Sequence, residues 1–169
     1  MDIYTAITTR RSIRKYTGQP VSQGMLQNIL NAGFCAPSAQ NHRPWHFVVV
    51  DDKEILLRLD TTSKYGHMIK NSAFCIVVCG DAKTELEREY TYQDCSAAIQ
   101  NMLLCAHGEG LGAVWCGIYS KGAWYAAIKE LLGMPAEAVP VGLVAFGFPA
   151  EQRPLPDRFE KKKVHYNQW

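Results

Sequence analysis

Four cations and one hydroxyl crowd together near the start of the chain, in the string TTRRSIRKY: Arg10, Arg11, Ser12, Arg14 and Lys15. Overall basicity does not account for them, because Lys and Arg number 18 against 16 Asp and Glu, a formal net charge of +2. If residues 10–14 run extended, alternate side chains share a face, so that Arg10, Ser12 and Arg14 converge. Two guanidinium forks and a hydroxyl suit a phosphate monoester, whose oxygens accept paired, charge-assisted hydrogen bonds. A solvated surface loop would accommodate the same residues, and the segment by itself leaves both readings open.

A second stretch, APSAQNHRPWHF at residues 36–47, passes from a helix end to a strand through Pro37 and Pro44. Ser38, Gln40 and Asn41 offer hydroxyl and amide groups from a stiff bend, able to face a flat heterocycle or to satisfy the bend's own backbone. Other strings carry less. GEGLGA, residues 108–113, has the letters of a dinucleotide fingerprint, but here a helix precedes and a strand follows, the reverse of what places a pyrophosphate at a helix N-terminus. Its glycines read as a helix stop and a tight turn. His42 and His46 are four apart, yet Pro44 between them breaks the helix that would bring them to one metal ion. Cys35, Cys75, Cys79, Cys95, Cys105 and Cys116 form no C-x-x-C pair and read as buried, reduced thiols. With no P-loop and no G-x-S-x-G elbow, the residues nominate no catalytic side chain and no metal site.

The elements that must position these groups follow from periodicity. Asp2 caps a short helix with Ile3 and Ile7 as its apolar stripe. Ser22 caps a second helix, with Met25, Leu26, Ile29 and Leu30 on one face, ending before Pro37. WHFVVVDD reads as a buried strand, Lys53 to Leu59 as a short helix, Tyr65 and Gly66 as a loop, and AFCIVVCGD as a strand carrying Cys75 and Cys79 on one face. Tyr92 to His107 reads as a helix apolar around most of its circumference, fit for the centre of a domain and of a dimer. AVWCGIY, AWYAAIKELLG and VGLVAFGFP give a strand, a helix closed by Gly133 and Pro135, and a last strand. Residues 1–169 form one domain, with 151–169 as a Pro- and Lys-rich tail whose Lys161–Lys163 run is solvated. Interleaved helices and strands predict an α/β or α+β sandwich.

At 169 residues and 47% apolar content the chain supports one sizeable core. The small net charge argues against a nucleic-acid partner, and no apolar run approaches the roughly 18 residues needed to cross a bilayer. With no apolar leader after the N-terminal arginines, a cytoplasmic protein is expected.

Taken in order, RRSIRKY, APSAQNHRPWHF, GLGAVWCGIY, LLGMP, VGLVAFGFP and RFEKKKVHYNQW make the chain resemble the nitroreductase family of flavoproteins over practically its whole length. The resemblance implies an α+β sandwich with a central, mostly antiparallel sheet flanked by helices, and an intertwined homodimer binding FMN at the subunit interface. It implies that Arg10, Arg11 and Ser12 hold the FMN phosphate, with Arg158 in support, and that Arg14 reaches the ribityl chain or the pyrimidine edge. Pro37, Ser38, Ala39 and Asn41 would line the flavin from the other subunit. Trp115, Cys116 and Gly117 would lie against the ring, with the Gly117 N–H near its reactive part. NADH or NADPH would donate hydride, and a small acceptor such as a nitroaromatic, a quinone or an activated enone would receive it; the other reading is an FMN storage or sensing module without turnover. The chain departs from the family pattern at Arg43, where a glutamine is usual, and between Asp81 and Tyr92, where longer members carry a helical insertion.

Overall fold

The computed structural model describes residues 1–62, 66–82 and 85–169, and of residues 85 and 86 the backbone only. Helix α1 (Ile3–Thr9) starts where the Asp2 carboxylate accepts the Thr5 N–H at 3.0 Å. Its apolar stripe lies open in the single chain, Ile3 and Ile7 being 77% and 54% exposed, and Ala6 is the residue turned inward. Helix α2 (Gln23–Phe34) is capped by Ser22 Oγ, 3.2 Å from the Met25 N–H, and presents Met25, Leu26, Ile29 and Leu30 to the core as expected.

Strand β1 (Trp45–Val50) leads into α3 (Lys53–Thr61), then β2 (Phe74–Asp81), α4 (Glu85–Gly108), β3 (Gly112–Gly117), α5 (Ala123–Leu131) and β4 (Ala138–Gly147). Tyr65 of the expected loop lies outside the described residues. Helix α4 begins ahead of Tyr92 because its first turns, ELEREY, are good helix formers with no apolar stripe to reveal them. From Asp94 to His107 every α4 residue is at least partly buried. Its closing glycines behave as a stop: α4 ends at Gly108, and Gly110 takes a φ of +82°.

The sheet runs β1-β2-β4-β3 with every neighbour antiparallel, which makes the fold α+β. One face packs on α2 and α4 through Ile29, Ile99 and Met102; the other packs on α3 and α5 through Leu56, Leu59 and Ile128. The central strands are apolar on both faces because both faces are covered: β4 is buried along its whole length. WHFVVV is an edge strand rather than a fully buried one, with Trp45 and Val50 alone buried. Cys75 and Cys79 share one face of β2 as expected, since Ile76, Val78 and Gly80 turn to the α2–α4 side, and the register shift opposite Val78 and Cys79 is taken up by the extra residue Val141 of β4. No helix among the described residues is long and apolar enough to cross a membrane.

Candidate functional site

Beyond α1 the chain runs along the outer edge of β3. Ser12 bridges Ala113 in parallel, Ile13 donates its N–H to the Ala113 carbonyl at 3.0 Å, and Tyr16 bridges Pro149. Gly112 permits the approach, since a methyl group there would lie 2.7 Å from the Ile13 side chain. Because each strand residue turns its N–H and C=O to the same side, the outward Ala113 carbonyl means that Trp115 and Gly117 also turn outward. Their N–H groups point away from the β4 ladder, past the place where the accompanying segment leaves the edge.

At the start of this segment charge accumulates without compensation. Arg10 is partly buried and its Nε is buried with no partner. Burial, then the nearby Arg158 and Arg11 guanidiniums, pull its pKa down. Arg11 donates from Nε to the Pro154 carbonyl at 3.0 Å and from Nη1 to the carbonyls of Thr8 and Arg10 at 2.9 and 2.7 Å. These bonds fix its fork while its charge stays in place. Among the described residues no carboxylate pairs with Arg10, Arg11, Arg14 or Arg158. His107, at the end of α4, lines the same hollow of about 390 Å³. Burial and then Arg10 and Arg11 hold its pKa below the usual imidazole value. Thr9 Oγ1 donates to the Thr5 carbonyl at 2.6 Å, so the 2.8 Å contact between Thr9 Oγ1 and His107 Nε2 requires Nε2 to carry the hydrogen. A buried guanidinium edge with no acceptor, ringed by further cations, is a seat for an anion such as a phosphate.

Arg14 belongs to a different hollow, of about 270 Å³, together with Met68, Trp115, Cys116, Gly117 and Trp124. The expected convergence is therefore resolved into one continuous edge with two stations: Arg10 at one, Arg14 at the other, and Ser12 on the strand bridge between them. Trp124 is held by donating Nε1–H to Thr62 Oγ1 at 2.9 Å. Burial raises the Cys116 pKa against the pull of Arg14, so the thiol forms a neutral wall. A side chain at Gly117 would meet only open space. Two aromatic residues, two outward N–H groups and one cation make a site for a flat, acceptor-edged ring. A third hollow, of about 920 Å³, lies between residues 14–26, 51–53 and 70–74, and of the N-terminal cations Arg14 and Lys15 line it.

The second segment is built by its own bonds. Ser38 precedes a single 3₁₀ turn, Ala39–Asn41, and Gln40, Asn41 and Arg43 all adopt positive φ, of 50°, 56° and 50°. Such backbone is costly for residues bearing Cβ and persists only where surroundings enforce it. Here Ser38 Oγ accepts the Arg43 N–H at 2.9 Å, and the buried Asp94 carboxylate of α4 accepts the Ala39 N–H at 3.0 Å. This turn enters β1, at the opposite sheet edge from β3, three strand spacings or about 14 Å across. Within one chain the turn does not meet the arginine segment. Sequence reasoning missed Asp94, His107, Met68 and Trp124, which reach these places through contacts distant in the chain.

The nitroreductase family model matches residues 7–73 and 60–148, and the chain belongs to that family. A relative from Methanothermobacter thermautotrophicus, named "Putative NADH dehydrogenase/NAD(P)H nitroreductase", is 41% identical over all of this chain and 88% of its own length. The structure of an FMN-dependent nitroreductase from Clostridium difficile superposes with a TM-score of 0.91 at 30% identity, covering 98% of this chain and 99% of that one. That of NADPH:FMN oxidoreductase from Vibrio harveyi, complexed with NAD+, gives 0.90 at 26% identity over 99% of this chain and 77% of that one.

Proposed function

We propose that this chain is an FMN-dependent oxidoreductase that carries hydride from NADH or NADPH to a small acceptor, such as a nitroaromatic, a quinone or an activated enone. The observation that carries the reading is the unpartnered, buried Nε of Arg10 in a corner where no described carboxylate balances Arg10, Arg11 and Arg158. A flavin phosphate, nearly dianionic, supplies the missing acceptors. Ser12 adds a hydroxyl beside it, Arg14 faces the ribityl or pyrimidine side, and the N–H groups of Trp115 and Gly117 meet the ring edge. FMN, when bound, accepts and donates hydride; the chain binds it, orients it and keeps water from its face. No side chain is assigned a catalytic proton transfer. The similar structures of an FMN-dependent nitroreductase and an NADPH:FMN oxidoreductase support cofactor and donor.

The working unit in this reading is an intertwined homodimer. Pro37, Ser38, Ala39 and Asn41 precede β1, at the sheet edge opposite the arginine segment in the same chain, so a second copy would bring its turn against the first copy's flavin. The exposed Ile3, Tyr4 and Ile7 of α1 and the exposed Phe159, Tyr166 and Trp169 of the tail supply apolar surface for that contact. The same reading assigns the enzyme to the cytoplasm and gives it no nucleic-acid partner. The test is reconstitution with FMN followed by NADPH oxidation with a quinone or nitroaromatic present. Bleaching and recolouring of the flavin supports the proposal. A bound flavin inert to both nicotinamides would make the chain a storage or sensing module, and failure to take up FMN would end the flavin reading.

A further inference from the structure

We propose that Glu151 is a positioning residue for Arg14: its carboxylate fixes the backbone of residues 14 and 15 and so aims the Arg14 guanidinium into the hollow beside Trp115 and Gly117. This rests on the flavin reading above. Glu151 follows β4 by four residues and is remote in sequence from the arginine segment, yet its Oε1 accepts the N–H groups of both Arg14 and Lys15, at 2.6 and 3.2 Å. Its Oε2 lies 2.9 Å from Arg153 Nη2, and the Glu151 side chain is only 12% exposed. The surrounding backbone forms a short zipper: Thr17 N–H donates to the Phe148 carbonyl at 3.0 Å, Ala150 N–H to the Lys15 carbonyl at 2.8 Å, and Arg11 Nε–H to the Pro154 carbonyl at 3.0 Å.

Two consecutive N–H groups converging on one oxygen would repel each other, and a full negative charge is the acceptor that suits them. The Arg14 and Lys15 N–H groups and the Arg153 guanidinium keep the carboxylate ionised, while Arg10, Arg11 and His107 line the same hollow as Glu151 without pairing with it. The Arg14 N–H, first among its partners, draws the Glu151 pKa below the ordinary carboxylate value. The bonds go to the backbone of Arg14, so its guanidinium, which pairs with no carboxylate among the described residues, is left to line the ring site. The negative charge thus sits where it steers the cation without neutralising it.

The experiment titrates FMN into apoprotein, following quenching of flavin fluorescence, for wild type, Glu151→Gln, Arg14→Ala and the double variant, with thermal melts of each apoprotein. Glu151→Gln keeps the shape and weakens the acceptor. It is expected to loosen FMN about tenfold, the scale of one charge-assisted bond, with the visible flavin band moving in the same direction as in Arg14→Ala. In the Arg14→Ala background the same change should have no further effect, because the residue acts through that side chain. Equal losses in both backgrounds, or undiminished affinity in the single variant with the apoprotein melt unchanged, would overturn the positioning role while leaving the flavin reading intact. Wild-type apoprotein that ignores FMN overturns the flavin reading and this inference with it. Should Glu151→Gln melt early, Glu151→Asp, which retains the charge, must recover affinity in step with its melt and only when Arg14 is present; recovery independent of Arg14 counts against the role.

Discussion

The arginine edge and the Pro37–Arg43 turn are both polar, and they treat their polarity in opposite ways. The edge leaves cations uncompensated and an Nε unpartnered, so its chemistry is incomplete until an anion arrives. The turn satisfies itself, Ser38 binding the Arg43 N–H and Asp94 the Ala39 N–H, and holds three residues at positive φ to do so. One region has affinity and the other has shape. In the proposed reading, the unmet electrostatic demand marks where the flavin phosphate would bind, and the enforced backbone geometry the wall against which the ring would be held.

The largest expected effect breaks the first half of that contrast. Arg10→Ala should cost about 1.5 to 3 kcal/mol of FMN affinity, the worth of a charge-assisted hydrogen bond, measured by titration of apoprotein while the apoprotein's own melting temperature holds or rises. Unchanged affinity would move the phosphate elsewhere. Asp94→Asn tests the second half. Replacing the carboxylate that accepts the Ala39 N–H should lower stability by about 1 to 2 kcal/mol, seen in denaturant unfolding, with FMN affinity reduced less than by Arg10→Ala. A larger loss of binding than of stability would make the turn an affinity element.

Gln40→Gly refines the claim of enforced backbone. Glycine accepts a φ of 50° without the Cβ penalty, so the variant should be neutral or more stable by up to about 1 kcal/mol. Clear destabilisation would show that the Gln40 side chain holds the turn. The smallest effect concerns acid. Glu151 has a folded pKa below its unfolded value, so its contribution is fully present above the unfolded carboxylate value, about 4.3, and is lost as pH falls through the lowered folded value. FMN release on acidification should therefore show a component that is absent from Glu151→Gln, whereas identical acid profiles would assign the release to other groups.

Several elements were readable in advance because their signals are local. The Ser22 and Asp2 caps, the α2 face and the glycine stop after α4 depend on contacts three or four residues apart. Four of the six cysteines were equally legible, since apolar neighbours predict burial, and desolvation pushes Cys75 up to about 12 and Cys79 to about 11; Cys35, expected to be buried, is exposed where α2 ends, and Cys105 is half-buried. Periodicity does not say whether a face is covered: the i, i+4 pair Ile3 and Ile7 defines a stripe, and only the neighbours decide that it stays exposed in the single chain. For the same reason WHFVVV reads as a buried strand although it lies at a sheet edge, and the extra residue Val141 leaves no mark on the apolar run of β4.

From the sequence alone came the kinds of group at the site, cations with a hydroxyl and a stiff polar bend, because residue type and short-range spacing are written directly in the chain. Tertiary structure alone decided their arrangement: Arg10 and Arg14 at separate stations, the turn at the far sheet edge, and Glu151 against residues 137 and 136 positions away. Those placements follow from sheet order and strand register, which are set by how whole surfaces bury one another and so have no signature in any short window of sequence.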